Sequence, residues 1–328
     1  MNYIEIVRKV NDLLRNNNEW EARFAKYADQ IKKNERFYVE AAKKFRVNPP
    51  LYRYTSVSKV SGKNASFDIR FRGQSVASVL VEHGNVKISA KYANNKSYFG
   101  VDIQLDKADW KDQKASEFRT AFKNLKGGVN VKSPERYAEN ILLAEFGKKE
   151  RKNKQLCNIQ PVELCNDFFQ MPTPLTASKS PIGYTKIGGG IDILARIKRK
   201  NNPTDVRLCV LELKDENNAK EPPQIAMNQA IAYATFIARL LRSQSGKQWF
   251  KIFRPKDAEV VPVPKTLTIG AVVVMPFCKE RNENFENFEK IKVAENTFLK
   301  LYSLYYQLNE DGSVKEFTGS LVDDIANP

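Results

Sequence analysis

Apolar residues recur at helical spacing from the start of the chain. Ile4, Val7, Val10 and Leu14 form one stripe, and Trp20, Phe24, Tyr27 and Ile31 form a second at steps of three and four. The second helix is expected to run to about Phe45 and to stop before Asn48-Pro49-Pro50. The period then changes to two. Phe67, Ile69 and Phe71 alternate with Asp68, Arg70 and Arg72, and Val79 and Val81 follow Gly73. His83-Gly84-Asn85 reads as a hairpin turn, after which Val86, Ile88 and Ala90 alternate with Lys87, Ser89 and Lys91. Phe99, Val101, Ile103 and Leu105 predict one more strand. The pattern describes an antiparallel sheet with one buried and one wet face. A helical stretch over residues 108–125 and the pair Gly127-Gly128 close this part of the chain.

A second set of elements begins at Ser133, which suits a helix N-cap, with Pro134 in the first helical position. That helix is expected to pass through Ile141, Leu142 and Phe146 to Gly147, and the basic stretch 148–154 follows it. A strand over 156–164 comes next, then a long loop containing Pro172, Pro174 and Pro181. Strands over 190–197 and 208–214, joined by a polar turn at 198–205, lead to a helix over 224–242. Further strands are expected at 267–275 and 298–308. The order helix, three strands, helix, strand gives an α/β sandwich around a mixed sheet (α+β overall), preceded by a smaller domain of helices and antiparallel sheet. The expected boundaries are 1–130 and 131–328, and 328 residues suit two domains.

Composition narrows the function classes. No apolar run approaches the ~18 residues needed to span a bilayer, so no membrane partner is expected. The first residues mix charged and apolar positions unlike a secretion signal, and Cys157, Cys165, Cys209 and Cys278 show no CxxC spacing. Reduced thiols and a cytoplasmic location are the expectation. The net charge is +16, with 32 Lys/Arg against 18 Asp/Glu in residues 1–160 and 22 against 20 thereafter. That asymmetry suggests that the first half faces a polyanion, nucleic acid being the commonest. The wet sheet face would present Arg70, Arg72, Lys87 and Lys91 to a phosphate backbone, although such residues also simply populate open faces. His83 is the only histidine, and its turn position argues against Ser-His-Asp or Cys-His catalysis. Any bound metal must be held by carboxylates, which implies a hard cation such as Mg²⁺.

The strand LCVLELK carries the sharpest local signal. Alternation puts Val210, Glu212 and Lys214 on one face and Cys209, Leu211 and Leu213 on the other. Charges on a strand that is apolar on both faces are costly unless paired or metal-bound. In the preceding strand, Asp192 is a lone acid among Ile191, Ile193 and Leu194, and a hairpin would leave Asp192 and Glu212 about equally far from its turn. Gly188, Gly189 and Gly190 remove side chains where a backbone or substrate approaches, or merely make a flexible entry.

Asp192, then 19 residues, then Glu212-Leu213-Lys214 resembles the D…E-x-K signature of the PD-(D/E)xK nuclease superfamily. Gln229-Ala230-Ile231-Ala232-Tyr233 on the next helix resembles the QxxxY motif of its RecB-like branch. The likeness covers about 145 of the 328 residues, from Ser133 to about Met275, and leaves the N-terminal part unmatched. Gly190-Ile191 stands where the family has its proline, and the upstream histidine of some members is missing.

The resemblance implies a restriction-endonuclease-like αβββαβ core that hydrolyses phosphodiester bonds of nucleic acid, DNA first. Mg²⁺ or Mn²⁺ would be held by Asp192 and Glu212. Two roles are open to Lys214: helping to deprotonate or position the attacking water, or stabilising charge in the transition state. Gln229 and Tyr233 would orient groups around the site. The helix carboxylate that the family often adds would come from Glu135, Glu139 or Glu145, with Glu139 at mid-helix the choice. Two other classes fit the residues. One is a nucleic-acid-binding protein of this fold without turnover, and the other is an unrelated fold in which the three residues form a structural ion-pair network.

Overall fold

A computed structural model describes residues 2–60, 64–125, 133–147, 158–177, 181–198, 206–215, 217, 222–253, 262–279 and 290–326. The expected Gly127-Gly128 closure, the basic stretch 148–154, Cys157 and most of the 198–205 turn lie outside them. In chain order the helices are α1 (Tyr3–Asn16), α2 (Glu19–Ala42), α3 (Tyr92–Phe99), α4 (Gln113–Asn124), α5 (Pro134–Gly147), α6 (Pro223–Arg242), α7 (Gly246–Ile252) and α8 (Ser320–Ala326). The strands of the earlier part are β1 (Leu51–Thr55), β2 (Ala65–Phe71), β3 (Gln74–Glu82), β4 (Asn85–Ala90), β5 (Ala108–Asp109), β6 (Ile159–Pro161) and β7 (Phe168–Phe169). The later strands are β8 (Met171–Thr176), β9 (Gly183–Ile191), β10 (Ile193–Lys198), β11 (Val206–Leu213), β12 (Leu267–Pro276), β13 (Ile291–Ala294), β14 (Thr297–Leu308) and β15 (Val314–Thr318). The molecule is a mixed α+β protein.

Two compact units form. One comprises Met1–Ala28, Ile141–Val162 and Gln170–Pro328, and the other Asp29–Asn140 and Glu163–Phe169. The division is therefore not a single cut near residue 130. The start of the chain belongs with its end because the stripe of α1 (Ile6, Val7, Val10, Leu14) is buried and α1 packs on α6. Trp20 and Phe24 complete the contact, each meeting Phe236 edge-on, at 5.7 and 5.1 Å between ring centroids. Over these ranges the first unit holds 32 Lys/Arg against 24 Asp/Glu and the second 22 against 14, a net of +8 in each. The excess charge of the first half of the sequence does not mark out one unit.

The first unit is built on a seven-stranded sheet of order β13-β14-β12-β11-β10-β6, with β15 paired to β14. β11, β12 and β14 run parallel, while β10–β11 is an antiparallel hairpin. β12, LTIGAVVVMP, is buried almost throughout, as a parallel strand covered on both faces requires. α6 packs on β11, β12 and β14 and is apolar on nearly every side, so it sits inside the unit rather than on its surface.

The segment with Pro172 and Pro174, expected as loop, is strand β8, paired antiparallel with β9 in a separate two-stranded sheet. Its prolines are tolerated because the pairing is two-stranded and irregular between Thr173 and Leu175, where Pro174 falls. The strand expected over 156–164 is only β6 among the described residues.

The second unit holds the sheet β5-β4-β3-β2-β1-β7, antiparallel except for β1–β7. Phe67, Ile69 and Phe71 of β2 are buried, and Phe45, Phe99, Phe118, Phe122 and Trp110 pack around them. His83 and Gly84 form the expected two-residue turn between Glu82 and Asn85, both at positive φ. The strand expected at 99–105 is absent. Phe99 ends α3, whose last turn closes on Gly100 in the left-handed conformation. Val101 and Leu105 are buried without pairing as a strand, and the Ala90 N–H donates to the Leu105 carbonyl at 2.9 Å. Alternating burial alone mimicked a strand there.

Candidate active site

In the first unit Ile193 of β10 stands opposite Leu211 of β11. Asp192 directly precedes that pair on one side and Glu212 directly follows it on the other, so both acids lie at the same end of the hairpin. Asp192 is not inside a continuous buried strand, as its sequence context predicts. It is a half-buried bend between β9 and β10. The chain changes partners there, since Ile191 pairs with Met171 of β8 whereas Ile193 pairs with Leu211. A residue at such a switch leaves the ladder, and its side chain takes over part of the bonding. Asp192 Oδ2 accepts the Leu213 backbone N–H at 3.0 Å, which ties the acid to the strand carrying Glu212.

Glu212 is buried, at 5% exposure. Lys214 Nζ lies 3.9 Å from Glu212 Oε1, an ion pair longer than a hydrogen bond, and the lysine side chain is 12% exposed. Backbone bonds hold Lys214 beyond the end of β11. Its N–H donates to the Val274 carbonyl at 2.8 Å, and the Tyr306 hydroxyl donates to its carbonyl at 3.0 Å. The sheet thus fixes the backbone from which the Lys214 side chain extends.

The glycines before Asp192 permit close approach. A Cβ on Gly189 would lie 2.8 Å from the Leu175 carbonyl oxygen, and one on Gly190 would lie 2.5 Å from Gln170 Cδ. Tyr233 of α6 faces this ladder. Its hydroxyl accepts the Ala177 N–H at 3.4 Å and lies 3.7 Å from where a Gly189 side chain would begin. Gln229, one turn earlier, is buried, and its Oε1 has no hydrogen-bond partner among the described residues. Sequence reasoning passed over Asp215 and Gln170. Asp215 is buried directly after Lys214, and its Oδ1 accepts the Asn217 N–H at 2.9 Å. An acid adjoining the ExK triplet was the available signal.

Glu139 belongs to the second unit, where it is buried near Tyr54 and Arg70. Burial, reinforced by the Glu139 charge, holds the Tyr54 hydroxyl well above its usual range. Of the four cations expected to grip phosphate, two are engaged internally. Arg70 donates to Asp68 at 2.9 Å and lies 4.2 Å above the Tyr54 ring, and Lys87 pairs with Asp109 at 3.3 Å. Burial opposes the charge of Arg70, but Asp68 outweighs it and holds the guanidinium above its usual range. Arg72 sits in the β2–β3 turn at positive φ, and Lys91 lies past the end of β4 at the start of α3. The strand face alone does not present all four.

Among the described residues no group of three or more His, Cys, Asp or Glu is arranged to hold a metal. Asp192 and Glu212 make a smaller set whose chemistry suits Mg²⁺, which keeps several waters and takes one or two carboxylates together with substrate phosphates. Fold and site together define a mixed α+β protein with two acids and a lysine at the end of a β-hairpin. No protein-family model, curated protein or solved structure matches the chain.

Proposed function

We propose that the first unit is a divalent-metal-dependent nuclease centre of the PD-(D/E)xK kind, acting on nucleic acid, DNA first, in the cytoplasm. One observation carries the reading: the Asp192 carboxylate accepts the Leu213 N–H of the strand that carries Glu212, and Lys214 pairs with Glu212 beside it. Support also comes from the succession hairpin, helix, parallel strand in β10, β11, α6 and β12. Asp192 and Glu212 would hold Mg²⁺ or Mn²⁺, which supplies polarisation of the scissile phosphate when bound. Lys214 would stabilise negative charge on a phosphate bound beside Glu212, its backbone fixed by the Val274 carbonyl and the Tyr306 hydroxyl. Tyr233 secures the β8–β9 ladder that delivers Asp192, and the open acceptor of Gln229 is available to a substrate or water donor.

Incubation with linear, branched and single-stranded DNA and with RNA, in Mg²⁺, Mn²⁺ or EDTA, tests the proposal. Cleavage should require the metal and fall roughly 10²-fold or more in Lys214→Ala with the circular dichroism spectrum unchanged. Cleavage that persists in EDTA or in the variant would overturn it. Metal-independent binding with no cleavage of any substrate would favour a silent nucleic-acid-binding protein.

A further inference from the structure

The second unit contains a cleft of about 480 Å³, open to solvent and lined by no residue named in the proposed catalytic centre. That volume lies within the roughly 300–1,000 Å³ of small-molecule sites. Cations, rings and acids are among the side chains that line it. Lys43 and Arg46 are exposed cations, Tyr52 and Phe168 are half-buried rings 6.2 Å apart, and Glu163 and Asp167 are acids.

Asp167 is the unusual member. It is 3% exposed, its Oδ1 accepts a hydrogen bond from Arg53 Nε, and its Oδ2 has no hydrogen-bond partner among the described residues. Arg53 is itself fixed by donating to the Ala42 carbonyl at 2.9 Å and by lying over the rings of Phe45 and Phe67. Asp167 and Phe168 follow a tight turn in which Cys165 and Asn166 are both at positive φ, with backbone bonds in both directions between Leu164 and Asp167. Two non-glycine residues in that region hold strain, and the turn delivers an acid and a ring to the same cleft. A buried carboxylate oxygen without a donor is costly, and an N–H from a ligand is what would complete it.

A ligand for this cleft must offer N–H donors, a flat π-face and a negative charge. A nucleotide offers all three, and guanine presents two adjacent N–H donors on its Watson–Crick edge. We propose that the cleft binds a single nucleotide, its base stacked on Tyr52 and Phe168 with an N–H edge toward Asp167, and its phosphate against Lys43 and Arg46. The nucleotide can be free or part of a strand. The inference is independent of cleavage, because none of these residues belongs to the centre around Asp192.

The test is calorimetric titration of the 328-residue chain in EDTA with each of the four ribonucleoside 5′-monophosphates, beside fluorescence anisotropy with labelled single-stranded oligonucleotides of DNA and RNA. Saturable binding of a mononucleotide, strongest for GMP and weakest for UMP, supports the free source. Oligonucleotide binding that is guanine-dependent without mononucleotide binding supports the strand source. In either case Tyr52→Ala should weaken binding about tenfold. The exposed pair Lys43→Glu/Arg46→Glu should do likewise without altering the fold, and this keeps the test decisive where Asp167→Asn fails to fold. Mononucleotide titration in EDTA does not read cleavage, so a failed nuclease reading and a failed cleft are told apart. Nucleotide and oligonucleotide affinities unchanged in both Tyr52→Ala and the rim variant would overturn the proposal.

Discussion

Asp167 shows how one residue can hold a functional and an energetic question together. Burial lifts its carboxyl to about 7, against the opposing charge and hydrogen bond of Arg53, while the Glu163 charge adds slightly to the rise. A carboxyl whose pKa is higher in the folded chain contributes stability that is complete below its unfolded value near 3.8 and is lost as pH rises through about 7. Asp167→Asn removes that dependence. Between about pH 5 and about pH 8 the parent should therefore lose on the order of 2 kcal/mol relative to the variant, measured by urea denaturation at each pH. A stability difference independent of pH would show that Asp167 is ionised at its ordinary pKa. At the candidate active site the lesson is different. Glu212 and Lys214 could be named from alternation along one strand, whereas the bend at Asp192 could not, because it arises where the chain exchanges β8 for β11 as partner.

Among the elements, α6 and the segment from Met1 to Ala28 depend on each other most. α6 is too apolar to face water, and α1 with the start of α2 provides the cover. Phe24 lies at the centre of that cover, with Trp20, Phe236 and Trp249 around it and the Trp249 indole N–H donating to its carbonyl at 3.1 Å. Phe24→Ala should destabilise the protein by about 3–5 kcal/mol, read from the shift of the denaturation midpoint at unchanged slope. The same loss should loosen α6, which carries Gln229 and Tyr233. An effect below about 1 kcal/mol would mean that the N-terminal segment is dispensable to the unit.

At the scale of the molecule, the charge of +16 divides evenly between the units. Nucleic-acid affinity, on the reading proposed above, should then depend on both and should be strongly salt-dependent. Neutralising about six phosphates predicts a loss of about a thousandfold between ~50 and ~200 mM salt, measured by anisotropy with a labelled duplex. Affinity indifferent to salt would argue that the charge serves solubility instead. Among the described residues no helix is long and apolar enough to cross a membrane.

The sequence by itself determined the periodic helices, the hairpin at His83-Gly84 and the ExK strand, because each is a local pattern of burial or turn geometry. It also limited the metal ligands on offer, since the chain has a single histidine. The rest required three dimensions. The Pro-containing β8 became a strand through a partner far along the chain, and residues 99–105 failed to become one despite their alternation. Arg70 and Lys87 alternate as an open basic face, yet each is tied to an acid, Asp68 or Asp109. The N-terminal helix joined a unit whose sheet lies in the second half of the chain because the apolar surface of α6 had to be covered. Asp192, Glu212 and Lys214 were legible as residue types at a spacing. The register of β10 against β11 decided that the two acids lie at the same end of the hairpin, because only pairing between strands fixes which positions meet.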